Sequence, residues 1–296
     1  MQIGAFEFSQ PLPELNNPHM IAILRPWIDV GSVGTLALNV LEKQFGANEV
    51  AKLKRPGHFY DFTRYRPTIT WREENREYQI PNTTILVAKR ETEPDLVFLH
   101  SLEPHNMGED FVESVVAVME KLGIQRYCQI GSMYAPVPHT RPLIAGGSSS
   151  EPDIQLKLEE MGVRKSSYQG PTSIVAMITQ EAQKRNIGTI SMVLQLPSYS
   201  QLGEDYMGQY ALLEIMDKIY NFSLDLEQIK RRADRLYNRL DEASRYEPSV
   251  REMIEQLEAN YDSERGMRLQ EGKLPQLSEE MEQFLATLEQ SDSEFL

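Results

Sequence analysis

Pro138-His139-Thr140-Arg141-Pro142 sets an imidazole and a guanidinium two residues apart between two prolines. Each proline fixes its own φ and pushes the preceding residue toward extended backbone, so both side chains are presented from a stiff loop. The loop follows Tyr127–Tyr134, an alternating apolar run that reads as a strand. A site built there would suit a small anionic metabolite. A structural corner uses the same residues, and the motif alone leaves both readings open.

Three other loops leave a strand and enter a helix. Trp27-Ile28-Asp29-Val30-Gly31-Ser32-Val33-Gly34 offers glycines that let a ligand approach backbone amides at a helix start. Equally, Ser32 reads as an N-cap and the glycines as a tight turn. Ser101-Leu102-Glu103-Pro104-His105 puts Glu103 at the carboxyl end of a strand, the edge where open α/β sheets collect ligands. In Tyr168-Gln169-Gly170-Pro171-Thr172-Ser173 the Gly-Pro pair is turn chemistry and Thr172 or Ser173 a cap. Asp29, Glu103, His139, Arg141 and Tyr168 are expected around one mouth, with a carboxylate in salt-bridge range of Arg141; such a mixture suits a polar small molecule.

No catalytic set is complete. The five histidines are scattered without i, i+4 pairing, so neither a metal site nor a metal cofactor is expected. There is no G-x-S-x-G, no G-x-G-x-x-G and no Gly-Lys-Ser/Thr of a P-loop, and Gly146-Gly147-Ser148-Ser149-Ser150 reads as a flexible loop because no lysine follows. A net charge of −14 without a basic stripe argues against nucleic acid as partner. The lone Cys128 lies inside an apolar strand and reads as a buried structural thiol. No apolar run is long enough to span a bilayer and the first 24 residues hold no Lys or Arg to open a signal peptide, so no membrane partner and a cytoplasmic location are expected.

At 296 residues, 41% hydrophobic and 25% charged, the chain is long enough for a full core. Strand patterns at Met20–Leu24, Ile85–Ala88, Leu96–His100, Tyr127–Met133 and Ile190–Leu196 alternate with helical patterns at Thr35–Phe45, Glu109–Leu122, Ile154–Met161, Ser173–Lys184 and Tyr206–Ile219. This predicts an α/β core over 1–224 with a mostly parallel sheet. Thr68–Arg72 and Glu77–Ile80 interrupt the rhythm as an antiparallel hairpin. From Asp225, Leu226, Ile229, Ala233, Leu236, Leu240 and Ala243 form a short heptad seam; Pro248 interrupts, and Val250 to Tyr261 resume an apolar stripe. The spacing predicts a helical hairpin over 225–265, a linker from Gly266, and an acidic tail within 266–296.

Taken together, Trp27-Ile28-Asp29-Val30-Gly31, Arg66-Pro67, Leu102-Glu103-Pro104, Pro138–Pro142 and Tyr168-Gln169-Gly170-Pro171 resemble, in order and spacing, the proteasome-assembly-chaperone-two-like family of bacteria and archaea. The resemblance spans about Met20 to Asp225 and continues into the helical extension. Departures are Ser101, where the family pattern has glycine, and Ser198, where several relatives have histidine in a P-H-Y run. The resemblance implies a three-layer α/β/α fold of the phosphorylase/hydrolase type. It also implies a homo-oligomeric, chaperone-like binding or assembly protein, more fitting than an enzyme, with a protein client and no cofactor. Asp29, Gly31, Arg66, Glu103, His139, Arg141, Tyr168 and Gly170 are then its pocket or structural network. The C-terminal Glu294-Phe295-Leu296 departs from the hydrophobic-Tyr-any motif with which archaeal relatives bind proteasomes. The rival reading is an enzyme or sensor for a small anionic metabolite at His139 and Arg141.

Overall fold

The computed structural model describes residues 1–9, 12–72, 75–165 and 169–271. The chain runs through β1 (Gln2–Ile3), β2 (Phe6–Phe8), β3 (His19–Arg25), α1 (Val33–Phe45), β4 (Asn48–Leu53), β5 (Thr68–Arg72), β6 (Asn75–Gln79), β7 (Thr84–Ala88) and β8 (Leu96–Leu102). It continues with α2 (Gly108–Leu122), β9 (Arg126–Ala135), β10 (Ile144–Ser149), α3 (Pro152–Glu160), α4 (Ile174–Lys184), β11 (Gly188–Pro197), α5 (Tyr206–Tyr220), α6 (Glu227–Ser244) and α7 (Pro248–Glu271).

Nine strands make one sheet in the order β1-β2-β4-β7-β8-β3-β9-β11-β10. Its centre, β8-β3-β9-β11, is parallel, and antiparallel strands extend it on both sides. β3 is apolar almost throughout because both of its faces are covered, as a buried parallel strand requires. Met20, Ala22 and Leu24 pack with Phe111 and Val115 of α2 and Ile178 of α4. Ile21 and Ile23 pack with Leu38 and Leu41 of α1 and Leu212 and Met216 of α5. The alternation of side chains along one strand thus builds two cores, and the fold is a three-layer α/β/α sandwich.

Two local readings change. Gly146–Ser149, expected as a loop, belongs to the edge strand β10, paired antiparallel with β11. A Cβ at Gly147 would come within 2.2 Å of the Ser191 carbonyl oxygen, so glycine is what allows the two backbones to approach. The linker expected from Gly266 is helical as far as Glu271, as part of α7; the rest of it and the acidic tail lie outside the described residues.

One compact unit runs from Met1 to Ala243 and a second begins at Ser244. α6 therefore belongs with the sheet for nearly its whole length, whereas its sequence pattern groups it with the helix after Pro248. Leu226 and Ile229 pack against the core that holds α1 and α5, and Ala233 and Tyr237 are buried while Ala243 is exposed. The buried stripe follows Ile229, Ala233 and Tyr237 at i, i+4, i+8. α7 is a single helix continuous with Pro248 at its first position, where a proline costs no hydrogen bond. Among the described residues no helix is long and apolar enough to cross a membrane.

Candidate functional site

The parallel strands β3, β8, β9 and β11 end together, so the loops after Arg25, Leu102, Ala135 and Pro197 meet at one edge. Asp29 hangs from the first of them. Its Oδ1 accepts from the amides of Gly34 (2.7 Å) and Thr35 (3.1 Å), and its Oδ2 from the Thr35 hydroxyl. The start of α1, open to an anion on the sequence, is therefore filled by the chain's own carboxylate, and Asp29 does the capping work expected of Ser32. Burial pushes the Asp29 carboxyl above its usual range, opposed by the bonds from Thr35 and Gly34. Asp29→Ala should lower stability by about 1–2 kcal/mol in urea titrations, with Asp29→Asn recovering most of it through the retained oxygen; equal losses for both would remove the capping role.

Gly31 adopts φ +60°, and a Cβ there would lie 2.8 Å from Cβ of Asp205. Only glycine combines that left-handed turn with so close an approach. The Gly31 carbonyl accepts from the Asp205 amide at 2.8 Å. Asp205 caps α5 through Oδ1, which accepts from the Gly208 amide at 2.8 Å, and its Oδ2 accepts from the Tyr237 hydroxyl of α6 at 3.0 Å. Asp205 is 1% exposed, and burial raises its carboxyl and, still more, the Tyr237 phenol.

His139 sits beside this chain of contacts. Its ring lies between those of Tyr199 and Tyr237, with centroids 5.8 and 6.0 Å away. The His139 amide donates to the Tyr199 hydroxyl at 2.8 Å, and the same hydroxyl lies 2.6 Å from Nδ1. With the phenol donating a hydrogen bond to Nδ1, the neutral imidazole carries its proton on Nε2, which faces Oδ1 of Asp241 at 3.9 Å. Half-buried Arg141 follows on the same loop. Together with Tyr237 the two residues line a pocket of about 510 Å³ between the β9–β10 loop, α5 and α6. Leu143, Ala145, Met161 and Leu194 give it an apolar floor, and Lys218, Glu214 and Asp234 stand with Arg141 among its charged groups.

The residues expected at one mouth are thus divided. His139 and Arg141 line the pocket, and Gly31 reaches it through Asp205 and Tyr237. Glu103 serves the opposite helix layer: its Oε1 accepts from the Ile174 amide at the start of α4, at 3.0 Å, and burial raises its carboxyl. Arg66 is exposed ahead of β5, Gly170 is exposed in the loop before α4, and Tyr168 lies outside the described residues. The carboxylates of Asp29 and Glu103 are spent on helix starts in different layers, which removes the single cluster with Arg141. Asp205 and Tyr237 were not singled out by the sequence. An Asp three residues before Gly208 at a helix start was the available signal for the first; Tyr237 lies one position off the heptad seam. Among the described residues no group of three or more His, Cys, Asp or Glu could hold a metal ion.

A model of the PAC2 family matches residues 23–244. Among curated proteins none matches the sequence. The fold is similar to that of a PAC2 family protein from Streptomyces avermitilis, at 24% identity and a TM-score of 0.71, covering 80% of this chain and 99% of that one. It is also similar to a proteasome-assembly chaperone homologue from Mycobacterium tuberculosis, at 21% identity and a TM-score of 0.71, over 79% and 99% of the two chains. An archaeal proteasome activator from Pyrococcus furiosus superposes with a TM-score of 0.63 at 18% identity, over 82% and 99%. At such identities the likeness carries the fold.

Proposed function

The chain belongs to the PAC2 family, and from that premise we propose that it is a non-catalytic, homo-oligomeric binding or assembly protein that acts on proteins in a chaperone-like way. The observation that carries this reading is the β5–β6 arm. Ile69, Trp71 and Tyr78 are 53%, 66% and 63% exposed on a two-stranded sheet separate from the main one, and Ile80, directly after it, is 51% exposed. Clustered large apolar side chains in water mark a surface made for a partner. The similar Mycobacterium tuberculosis and Pyrococcus furiosus proteins are a proteasome-assembly chaperone homologue and a proteasome activator, which fits a role exercised on other proteins. The carboxyls that burial pushes above their usual range, those of Asp29, Glu103 and Asp205, each cap a helix, so their environment has a structural cause and does not call for a reaction. In the pocket, Glu214 and Asp234 accompany Arg141 and Lys218, which does not favour an anionic metabolite.

The test is reconstitution. Complexes cross-linked to the chain in its native cytoplasm are identified, the client is purified, and its assembly yield is measured with and without the chain. A yield that rises with the chain supports the reading, and an unchanged yield for every recovered client sinks it. In the same preparations ATP should not be turned over, since the helix start that could cradle phosphate is occupied by Asp29. Steady hydrolysis abolished by His139→Ala or Asp29→Ala would replace the assembly role with an enzymatic one.

A further inference from the structure

We infer that the pocket beside His139 is a binding site for a small zwitterion with an apolar side chain, an α-amino acid or a dipeptide. α5 supplies the first reason. Its core-facing stripe, Leu212, Leu213, Met216, Ile219 and Tyr220, is buried against the sheet. Met207, Ala211 and Ile215, at i, i+4 and i+8, form a second apolar stripe that is half-buried and lines the pocket. The helix is thus apolar over more of its circumference than packing on the sheet uses. Half-buried Leu143 and Met161 add apolar surface to the same cavity. Such surface is stabilised when a ligand covers it, and about 510 Å³ falls within the roughly 300–1,000 Å³ of small-molecule sites. Met161 and Met207 adapt to side chains of different shape, so large aliphatic and aromatic side chains both fit the class.

Charge sets the class. The chain has 44 acidic and 30 basic residues, yet the pocket holds the two signs in balance, Glu214 and Asp234 with Arg141 and Lys218. A simple anion meets the two carboxylates and a simple cation the guanidinium and the ammonium, whereas a molecule with both charges finds a partner for each. Tyr210, Glu214 and Lys218 follow one another at helical turns, so a polar stripe runs beside the apolar one for about 12 Å at 1.5 Å per residue. A ligand lying along α5 sets its side chain on Met207, Ala211 and Ile215, its ammonium toward Glu214 and Asp234, and its carboxylate toward Lys218 and Arg141. The Lys218–Glu214 pair, at 3.9 Å with side chains 58% and 46% exposed, contributes little in water and gives way to such a ligand. Asp234 and Tyr237 belong to α6, so a bound ligand bridges α5 and α6.

The test is titration calorimetry of the full chain with leucine, phenylalanine and leucyl-leucine, beside isocaproate, which is leucine without its ammonium, and isoamylamine, which is leucine without its carboxylate. At least one zwitterion should bind, and each truncated analogue should bind about tenfold or more weakly, the loss of a charge-assisted contact. Preference for leucine assigns a free amino acid, and preference for leucyl-leucine a peptide. Hydrogen exchange should slow at 207–218 of α5 and 234–238 of α6 in the bound chain. Asp234→Asn, at an exposed position, should weaken the zwitterion by about threefold and leave isocaproate unchanged. Ala211→Phe should fill the cavity and abolish binding; if it fails to fold, the analogues and the exchange pattern still decide. No binding by any zwitterion at millimolar concentration overturns the proposal, as does equal affinity for leucine and isocaproate, or binding that leaves exchange at 234–238 unchanged. Each of these failures leaves the assembly reading in place, because the pocket shares no residue with the β5–β6 arm.

Discussion

Asp205→Ala should destabilise the protein by about 3 kcal/mol and loosen α6, the helix that walls the His139 pocket. Two losses combine. The N-cap of α5 goes, costing about 1 kcal/mol, and the buried Tyr237 hydroxyl loses its acceptor, costing about 1–3 kcal/mol. Part of this is returned because a carboxyl kept out of water, whose ionisation burial already disfavours, is no longer buried. The diagnostic measurement is a double-mutant cycle with Tyr237→Phe. Once the phenol is gone there is no donor to orphan, so the double variant should be more stable than the sum of the singles predicts by about 1 kcal/mol or more. Amides of α6 should also exchange faster in Asp205→Ala. Additive single effects with unchanged exchange would mean that the bond does not hold α6.

The second large effect is a pH dependence that enters at the opposite end of the sheet. His19 opens β3, 7% exposed. Burial, with the Arg126 guanidinium adding to it, lowers its pKa from 6.5 to about 4. Arg126 is held there by a bidentate pair with Glu151, and the Tyr220 ring meets the imidazole edge-on at 5.7 Å. Between pH 6.5 and about 4 the unfolded chain binds a proton at His19 that the folded chain refuses, so stability falls as the pH is lowered through that window. The loss is complete below about pH 4 and amounts to on the order of 3 kcal/mol at 1.36 kcal/mol per pH unit. Asp29, Glu103 and Asp205, whose carboxyls are raised, work in the opposite sense, gaining stability as they protonate. The measurement is therefore a difference: denaturant midpoints of wild type and His19→Gln across this range. The wild type should lose about 3 kcal/mol more than the variant between pH 7 and 4, and parallel curves would show that His19 is solvated when folded.

The parallel centre of the sheet was legible because its strands and helices carry their own patterns. Met20–Leu24, Leu96–His100, Tyr127–Met133 and Ile190–Leu196 are apolar runs of strand length, and each helix between them repeats at the helical period. The arm was legible for the same reason, as two short alternating runs around a polar turn. β1, β2, β4 and β10 were not. β1 and β2 are two and three residues long, β10 is glycine-rich, and β4 is exposed at Asn48, Glu49 and Lys52; all lie toward the edges of the sheet, where partial cover demands little of the side chains. The proline-bracketed His139-Thr140-Arg141 stood out because its restriction is local in the backbone, and the structure does place both side chains on one pocket.

What only the tertiary structure decided is which groups share a bond. Glu103 reaches Ile174 across 71 residues, His139 reaches Tyr199 across 60, and Tyr237 reaches Asp205 across 32. Each loop advertised a carboxylate, an imidazole or a cap, but not the layer it would serve. That layer is set by which side of the sheet each crossover helix takes, and the choice is made by burial of whole apolar faces, roughly 25 cal/mol per Å² summed over both cores. Against that sum the polar groups of a few loop residues are small. They take whatever helix start or hydroxyl the packed layers bring within reach, which is why Asp29 and Glu103, alike in sequence setting, cap helices on opposite faces of one sheet.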